Sequence, residues 1–233
     1  MGNIRKFLKF LPDIHKTIWF NFHYLPLRQA VKLPILLYKP KLLNCSGSVR
    51  IEAPIRTGMI RLGVFGVSVY PNRGITWENR GSVIFSGSCY IGNNSYIAIG
   101  GTGNLSFGDC FCATADFRVV CYKRISFGAN TLVGWSNLFC DTDFHATKST
   151  LPENVGGNPG YAPITIGENN WFAMKCTTLK GANTPPLCIV GAGSLLLKDY
   201  SECPPSCLIA GNPAKFIKGG IYHDRDDDKI KYE

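Results

Sequence analysis

From Ile166 onward an aliphatic or aromatic residue, or a threonine, recurs at every sixth position: Phe172, Thr178, Thr184, Val190 and Leu196 follow in step. Four residues behind several of these stands a small or apolar residue, as at Cys176, Ala182, Cys188 and Ser194. The same phase runs through Phe127, Val133 and Phe139, and through Phe107, Ala113 and Val119. It starts with Phe85, Ile91 and Ile97, where Cys89 and Ser95 take the small slot. Amphipathic helices would need apolar residues at three- and four-residue spacing, and residues 80–215 show none. A period of six instead fits a short strand plus a corner. Three such sides close a coil of about eighteen residues, and coils stack by parallel pairing. The large slot then fills the axis and the small slot sits where two sides converge. Glycines behind the large slot, such as Gly128, Gly134 and Gly167, are expected to supply the corner angles. The fold class expected is an all-β solenoid.

The two ends depart from this pattern. Residues 1–41 carry eight basic residues (Arg5, Lys6, Lys9, Lys16, Arg28, Lys32, Lys39, Lys41) against Asp13 alone, most of the chain's formal charge of +9. Ile4, Phe7, Leu8 and Leu11 follow helical spacing with basic residues opposite, and four prolines cut the stretch that follows. Residues 1–44 are therefore expected to form a basic, partly helical arm. It caps the open end of the solenoid, touches an anionic membrane surface through residues 1–41, or does both. Residues 45–218 form the expected solenoid, with a polar loop at 146–163. Residues 219–233, with the acidic run from Asp224 to Asp228, read as a charged, solvated tail. The start does not read as a secretory leader and no run is long enough for a membrane span. Ten cysteines, several in core slots, read as reduced thiols of a cytoplasmic protein. Neither Cys110/Cys112 nor Cys203/Cys207 has a histidine at ligand spacing, so no metal is expected. No aromatic-basic module for nucleic acid is visible.

The segment from Ile164 to Lys218 is the most specific part of the chain. Its closing run Ala210-Gly211-Asn212-Pro213-Ala214-Lys215, with Val190-Gly191-Ala192-Gly193-Ser194 before it, resembles the last coils of hexapeptide-repeat acyltransferases. The similarity is to the branch of maltose, galactoside and polysaccharide O-acetyltransferases, and it covers roughly residues 85–218. It implies a left-handed β-helix, a homotrimer, an active site between neighbouring subunits, and acetyl-coenzyme A as acyl donor. Asp141-Thr142-Asp143-Phe144-His145 sits where that family carries its catalytic histidine.

His145 also draws attention by itself. It occupies the next large slot after Val133 and Phe139, just before the register breaks into the polar loop. An imidazole at the lip of a rigid coil suits a general base, taking the proton of an acceptor hydroxyl as it attacks a thioester. Asp141 or Asp143 would fix the ring, or would cap backbone donors as turn residues. By resemblance, the Met174 N–H would hold the oxyanion, and Trp171 and Ala173 would wall the donor pocket. Ala192 would let the pantetheine arm pass, and Lys198, Lys215 and Lys218 would meet the nucleotide phosphates. Leu197 stands where the family often has Thr, and Lys215 and Lys218 where it often has Arg. On the acceptor side Thr114 replaces a frequent Asn, with Asp116 nearby. The resulting expectation is acetyl transfer to a sugar hydroxyl in surface polysaccharide or glycan synthesis. The cytoplasmic enzyme would be peripheral to the membrane if the arm binds there.

The same residues also bear on other functions. Amino-sugar N-acetylation or antibiotic O-acetylation would use the same fold. A β-helix carbonic anhydrase wants three histidines, and the solenoid holds only His145. A purely structural β-helix would not need His145, its loop or the closing motif. No room remains upstream for a nucleotidyltransferase domain.

Overall fold

The computed structural model describes residues 13–148, 150 and 159–225. Short parallel strands build a three-sided prism, the chain visiting a first, second and third sheet in turn and then rising to the next coil. One coil runs through β10 (Phe111–Ala113), β11 (Arg118–Cys121) and β12 (Arg124–Phe127), and the next continues with β13 (Leu132–Val133) and β14 (Leu138–Cys140). β15 (Ile164–Ile166), on the far side of the loop, completes that coil beneath β12. The three sheets hold nine, seven and six described strands.

The large slots of the repeat stack in three columns. Phe85, Phe107, Phe127, Ile166 and Thr184 lie under one another in the third sheet. Ile91, Ala113, Val133, Phe172 and Val190 do so in the first, and Ile97, Val119, Phe139, Thr178 and Leu196 in the second. All fifteen are buried. Coils repeat at eighteen residues where Phe172 meets Val190. The step is twenty where Phe107 meets Phe127 and twenty-two where Phe85 meets Phe107. The extra residues are lodged at corners, such as the turn 100–103 before β9 (Asn104–Phe107).

The glycines work differently from expectation. Gly128, Gly134 and Gly167 do not have positive φ; left-handed corner positions are held instead by residues such as Asn130, Ser136, Asn169 and Leu187. What the glycines supply is room. A Cβ on Gly167 would stand 2.6 Å from the Pro185 carbonyl carbon, and one on Gly128 would collide with the Glu168 backbone. Stacked corners approach too closely for a side chain there. The small slots carry polar ladders: Asn137 donates to the Ala173 carbonyl at 2.8 Å and accepts from the Cys176 N–H at 3.0 Å. All ten cysteines are free thiols. Burial pushes the thiols of Cys89, Cys121, Cys176 and Cys188 upward, as suits small core residues.

Strand pairing starts earlier than residue 45. β1 (Ile35–Leu37) already pairs with β4 (Ile60–Val64), and β2 (Lys41–Asn44) with β5 (Ile75–Asn79). Helix α1 (Ile14–Tyr24) lies across the end of this first coil. Its buried Asn21 donates to the Ile35 carbonyl at 2.7 Å and accepts from the Ile35 N–H at 3.1 Å, while Thr17 accepts from the Leu37 N–H at 3.1 Å. The open edge of β1 is thus satisfied by side chains of the helix that covers it. Phe20 packs edge-on against Trp77 of the next coil. The amphipathic stretch expected around Ile4 to Leu11 lies outside the described residues. At the other end, the first residues of the expected tail, 221–225, make contacts with the solenoid. His223 packs on Trp171, ring centroids 4.9 Å apart, and Arg225 donates to the Cys110 carbonyl at 2.7 Å.

Candidate active site

The prism's edges sort the expected site residues into two groups. On the edge where the first sheet turns into the second, corners stack directly. The Lys175 N–H donates to the Trp135 carbonyl at 2.7 Å, and the Gly193 N–H to the Met174 carbonyl at 3.0 Å. This brings Ala173, Met174 and Ala192 together, beneath Trp135, with Thr114 and Asp116 one corner beyond. Ala173 and Lys175 donate their N–H groups to neighbouring coils, while the Met174 N–H donates to no described residue. Trp171 stands one strand position away, its outer face met by His223.

Asp116 is buried among donors. Its carboxylate accepts from Asn94 at 3.0 Å, from Arg118 at 3.0 Å and from the Ser136 hydroxyl at 2.7 Å. Tyr70 reaches the same Ser136 at 2.8 Å. Asp116 therefore organises a polar wall made of Asn94, Arg118, Ser136 and Tyr70, a set of residues that carries no repeat signal. The Thr114 hydroxyl donates to the Val133 carbonyl at 3.3 Å.

His145 lies on the next edge, where the second sheet turns into the third. It is not a core slot: the chain leaves the coil after Cys140, and His145 is exposed in the departing loop. The slot below Phe127 is filled by Ile166 once the chain returns. The loop's neck is a narrow ladder in which Thr142 bridges Tyr161 and the Asp143 N–H donates to the Gly160 carbonyl at 2.7 Å. Gly160 has φ of +84°, and a Cβ there would stand 2.5 Å from the His145 carbonyl oxygen. Only glycine serves both demands, so Gly160 sets the position of His145.

The two aspartates part company. Asp141 is fully buried and accepts from three backbone N–H groups, of Tyr122 and Lys123 at 2.7 Å and of Arg124 at 2.8 Å. It pins the corner from which the loop departs, the turn-capping role. The Asp143 carboxylate meets Lys180 at 2.8 Å. Lys198 is exposed on this same edge, its ammonium 5.7 Å from the Tyr200 ring centre. Lys215 and Lys218 are exposed on β22 (Ala214–Gly219), the terminal strand of the first sheet. The chain alone therefore does not bring the three lysines together.

No protein-family model matches the chain. It is 29% identical over 161 residues to a 24.8 kDa protein of the cps region of Klebsiella pneumoniae, covering 69% of each chain. It is 28% identical to the galactoside O-acetyltransferase of Escherichia coli K12, covering 64% of this chain and 71% of that one. The polySia-specific acetyltransferase NeuO superposes with a TM-score of 0.54 at 22% identity, over 82% of this chain and 85% of that one. The prism is a left-handed β-helix. In sequence the chain is similar to acetyltransferases, and it shares the fold of one.

Proposed function

We propose that the chain moves the acetyl group of acetyl-coenzyme A to a sugar hydroxyl in the assembly of a surface polysaccharide or other glycan, working as a homotrimer. The observation that carries this reading is the division of the site between two edges of one prism. His145 stands on one edge, and Met174 and Ala192 on the other. Between them lies the outer face of the second sheet, where Leu138, Thr177 and Leu195 form one ladder and Cys140 and Leu179 another. The equivalent ladder on the third sheet is polar: Ser126, Thr165 and Asn183. An apolar face flanked by complementary half-sites suits a closed ring of copies, each lending its histidine to a neighbour's donor edge.

In that site the imidazole of His145 takes the proton of the sugar hydroxyl as the oxygen attacks the thioester carbonyl. The tetrahedral oxyanion accepts from the Met174 N–H. Collapse expels the thiolate of coenzyme A, which takes the proton back from the imidazolium. Pantetheine passes Ala192, and the lysines gathered from neighbouring copies hold the phosphates.

Mixed assembly tests the shared site. His145→Ala removes the base and Ala192→Trp blocks the donor path, so each variant alone is inactive. Co-assembled in equal amounts, they regain activity at about a quarter of the sites by random assortment. A mixture as inactive as its parents places the site within one chain and ends this reading.

The N-terminal arm fits a membrane-borne acceptor. α1 exposes Ile18, Trp19 and Phe22 beside Lys16, and a cleft between His15, Trp19, Lys41 and Leu42 continues that face. No helix among the described residues is long and apolar enough to cross a membrane, so the contact is interfacial: apolar groups inserted, basic groups on anionic headgroups. Trp19→Ser with Phe22→Ser is expected to weaken binding to phosphatidylserine-containing vesicles at least tenfold. Undiminished binding, or equal binding of the native chain to neutral vesicles, contradicts the contact.

A further inference from the structure

The third edge, where the third sheet turns into the first, belongs to neither half-site. It holds a cleft of about 480 Å³ whose lining includes Arg56, Arg61, Arg225, Ser88 and Tyr90. Two of the three guanidinium groups are held in place by backbone. Arg61 donates through Nε to the Gly58 carbonyl at 3.0 Å, and Arg225 through Nη1 to the Cys110 carbonyl at 2.7 Å. Among the described residues none of the three arginines forms an ion pair with a carboxylate, and the lining contains no Asp or Glu. The nearby Asp109 stays ionised but forms no ion pair with them. Its carboxylate is turned onto the Ser88 N–H at 2.6 Å and the Cys110 N–H at 2.8 Å, which hold it below the usual carboxylate range.

We propose that this cleft is a subsite for anionic groups, carboxylate or phosphate, of an acidic glycan acceptor. The inference rests on the glycan O-acetylation reading and narrows it to charged polymers. Three cationic forks around a cavity, two of them anchored to backbone carbonyls, favour oxyanions over neutral hydroxyls. The nucleotide phosphates of the donor are a poorer fit, because Lys215 and Lys218 lie at the far end of the same sheet. β7 (Cys89–Gly92), which carries Tyr90, is three ladder steps from β16 (Trp171–Phe172), roughly 14 Å at the usual strand spacing. A chain of sugars lying along the first sheet can span that interval; a single sugar cannot. The cleft therefore holds a charged unit some residues away from the one acetylated.

Binding of labelled oligogalacturonate to the full chain, measured without acetyl donor, tests the subsite apart from turnover. The native protein and His145→Ala are expected to bind alike. The Arg56→Met, Arg61→Met, Arg225→Met variant should lose at least tenfold, and maltooligosaccharide of equal length should not bind. The arginines are exposed at the surface, so an unchanged thermal midpoint checks that this variant folds. Unchanged affinity in the arginine variant overturns the subsite, as does equal binding of the neutral oligomer. If inorganic phosphate occupies the cleft while oligogalacturonate does not bind, the site is for a free anion and the glycan assignment fails. If oligogalacturonate binds through the arginines yet no sugar is acetylated, the subsite stands and the transfer reading falls.

Discussion

Replacing His145 by alanine is expected to lower acetyl transfer by roughly two to four orders of magnitude while donor binding stays within a few-fold of native. The imidazole is exposed in a loop, so its loss leaves no cavity and no buried partner stranded. A general base acts in the transition state and contributes little to holding coenzyme A, so the loss belongs in kcat and not in the donor KM. Gly160→Ala should give a smaller loss of the same kind, because a Cβ would push against the His145 carbonyl and shift the ring. Steady-state kinetics with donor and acceptor varied separately decide this. A fall of less than tenfold in His145→Ala would remove the histidine from the role of base.

Phe127→Ala should cost about 3–5 kcal/mol of stability. The ring sits in the axis of the prism and meets four others: Phe107 at 5.5 Å, Phe111 at 4.9 Å, Phe117 at 5.9 Å and Phe139 at 4.9 Å between centroids. Its neighbours hang on separate sheets, so no single one can move in to fill the space. In a solenoid each coil is stabilised by the coils beside it, so a gap here weakens both stacking interfaces. Denaturant unfolding checks the figure, and Phe127→Leu, which keeps most of the volume, should cost far less. A loss below about 1 kcal/mol for the alanine variant would mean the axis is loosely packed.

The fold was legible because parallel stacking returns each side chain to the same place once per coil. Fifteen large slots read from spacing lie in the axis. The beginning of the solenoid was hidden for a related reason. Ile35, Leu36 and Leu37 are all buried, so the strand shows no alternation. His145 fits the period by coincidence of spacing. Its residue type and motif pointed to the site, but the coil had already ended at Cys140, and a polar insertion leaves no periodic trace. The aspartates could not be assigned in advance because a carboxylate that caps three N–H groups and one that meets a lysine look alike in sequence. Asp116 was legible only as an acid near the acceptor position, since two of its donors, Asn94 and Ser136, come from the corners of adjacent coils and the third, Arg118, opens the strand that follows it. The room-making glycines were visible as glycines, but their reason belongs to the approach of the adjacent coil.

Release of free thiol from acetyl-coenzyme A, followed with the native full chain across neutral sugars, amino sugars and acidic oligosaccharides, tests the central claim most directly. The free thiol of coenzyme A reports transfer whatever the acceptor. Acceptor-dependent release with hydroxyl sugars, yielding an ester that mild base removes, is the predicted result. Release only with amino sugars, giving a base-stable amide, would contradict O-acetylation, and no acceptor-dependent release across the panel would contradict the sugar acetyltransferase itself.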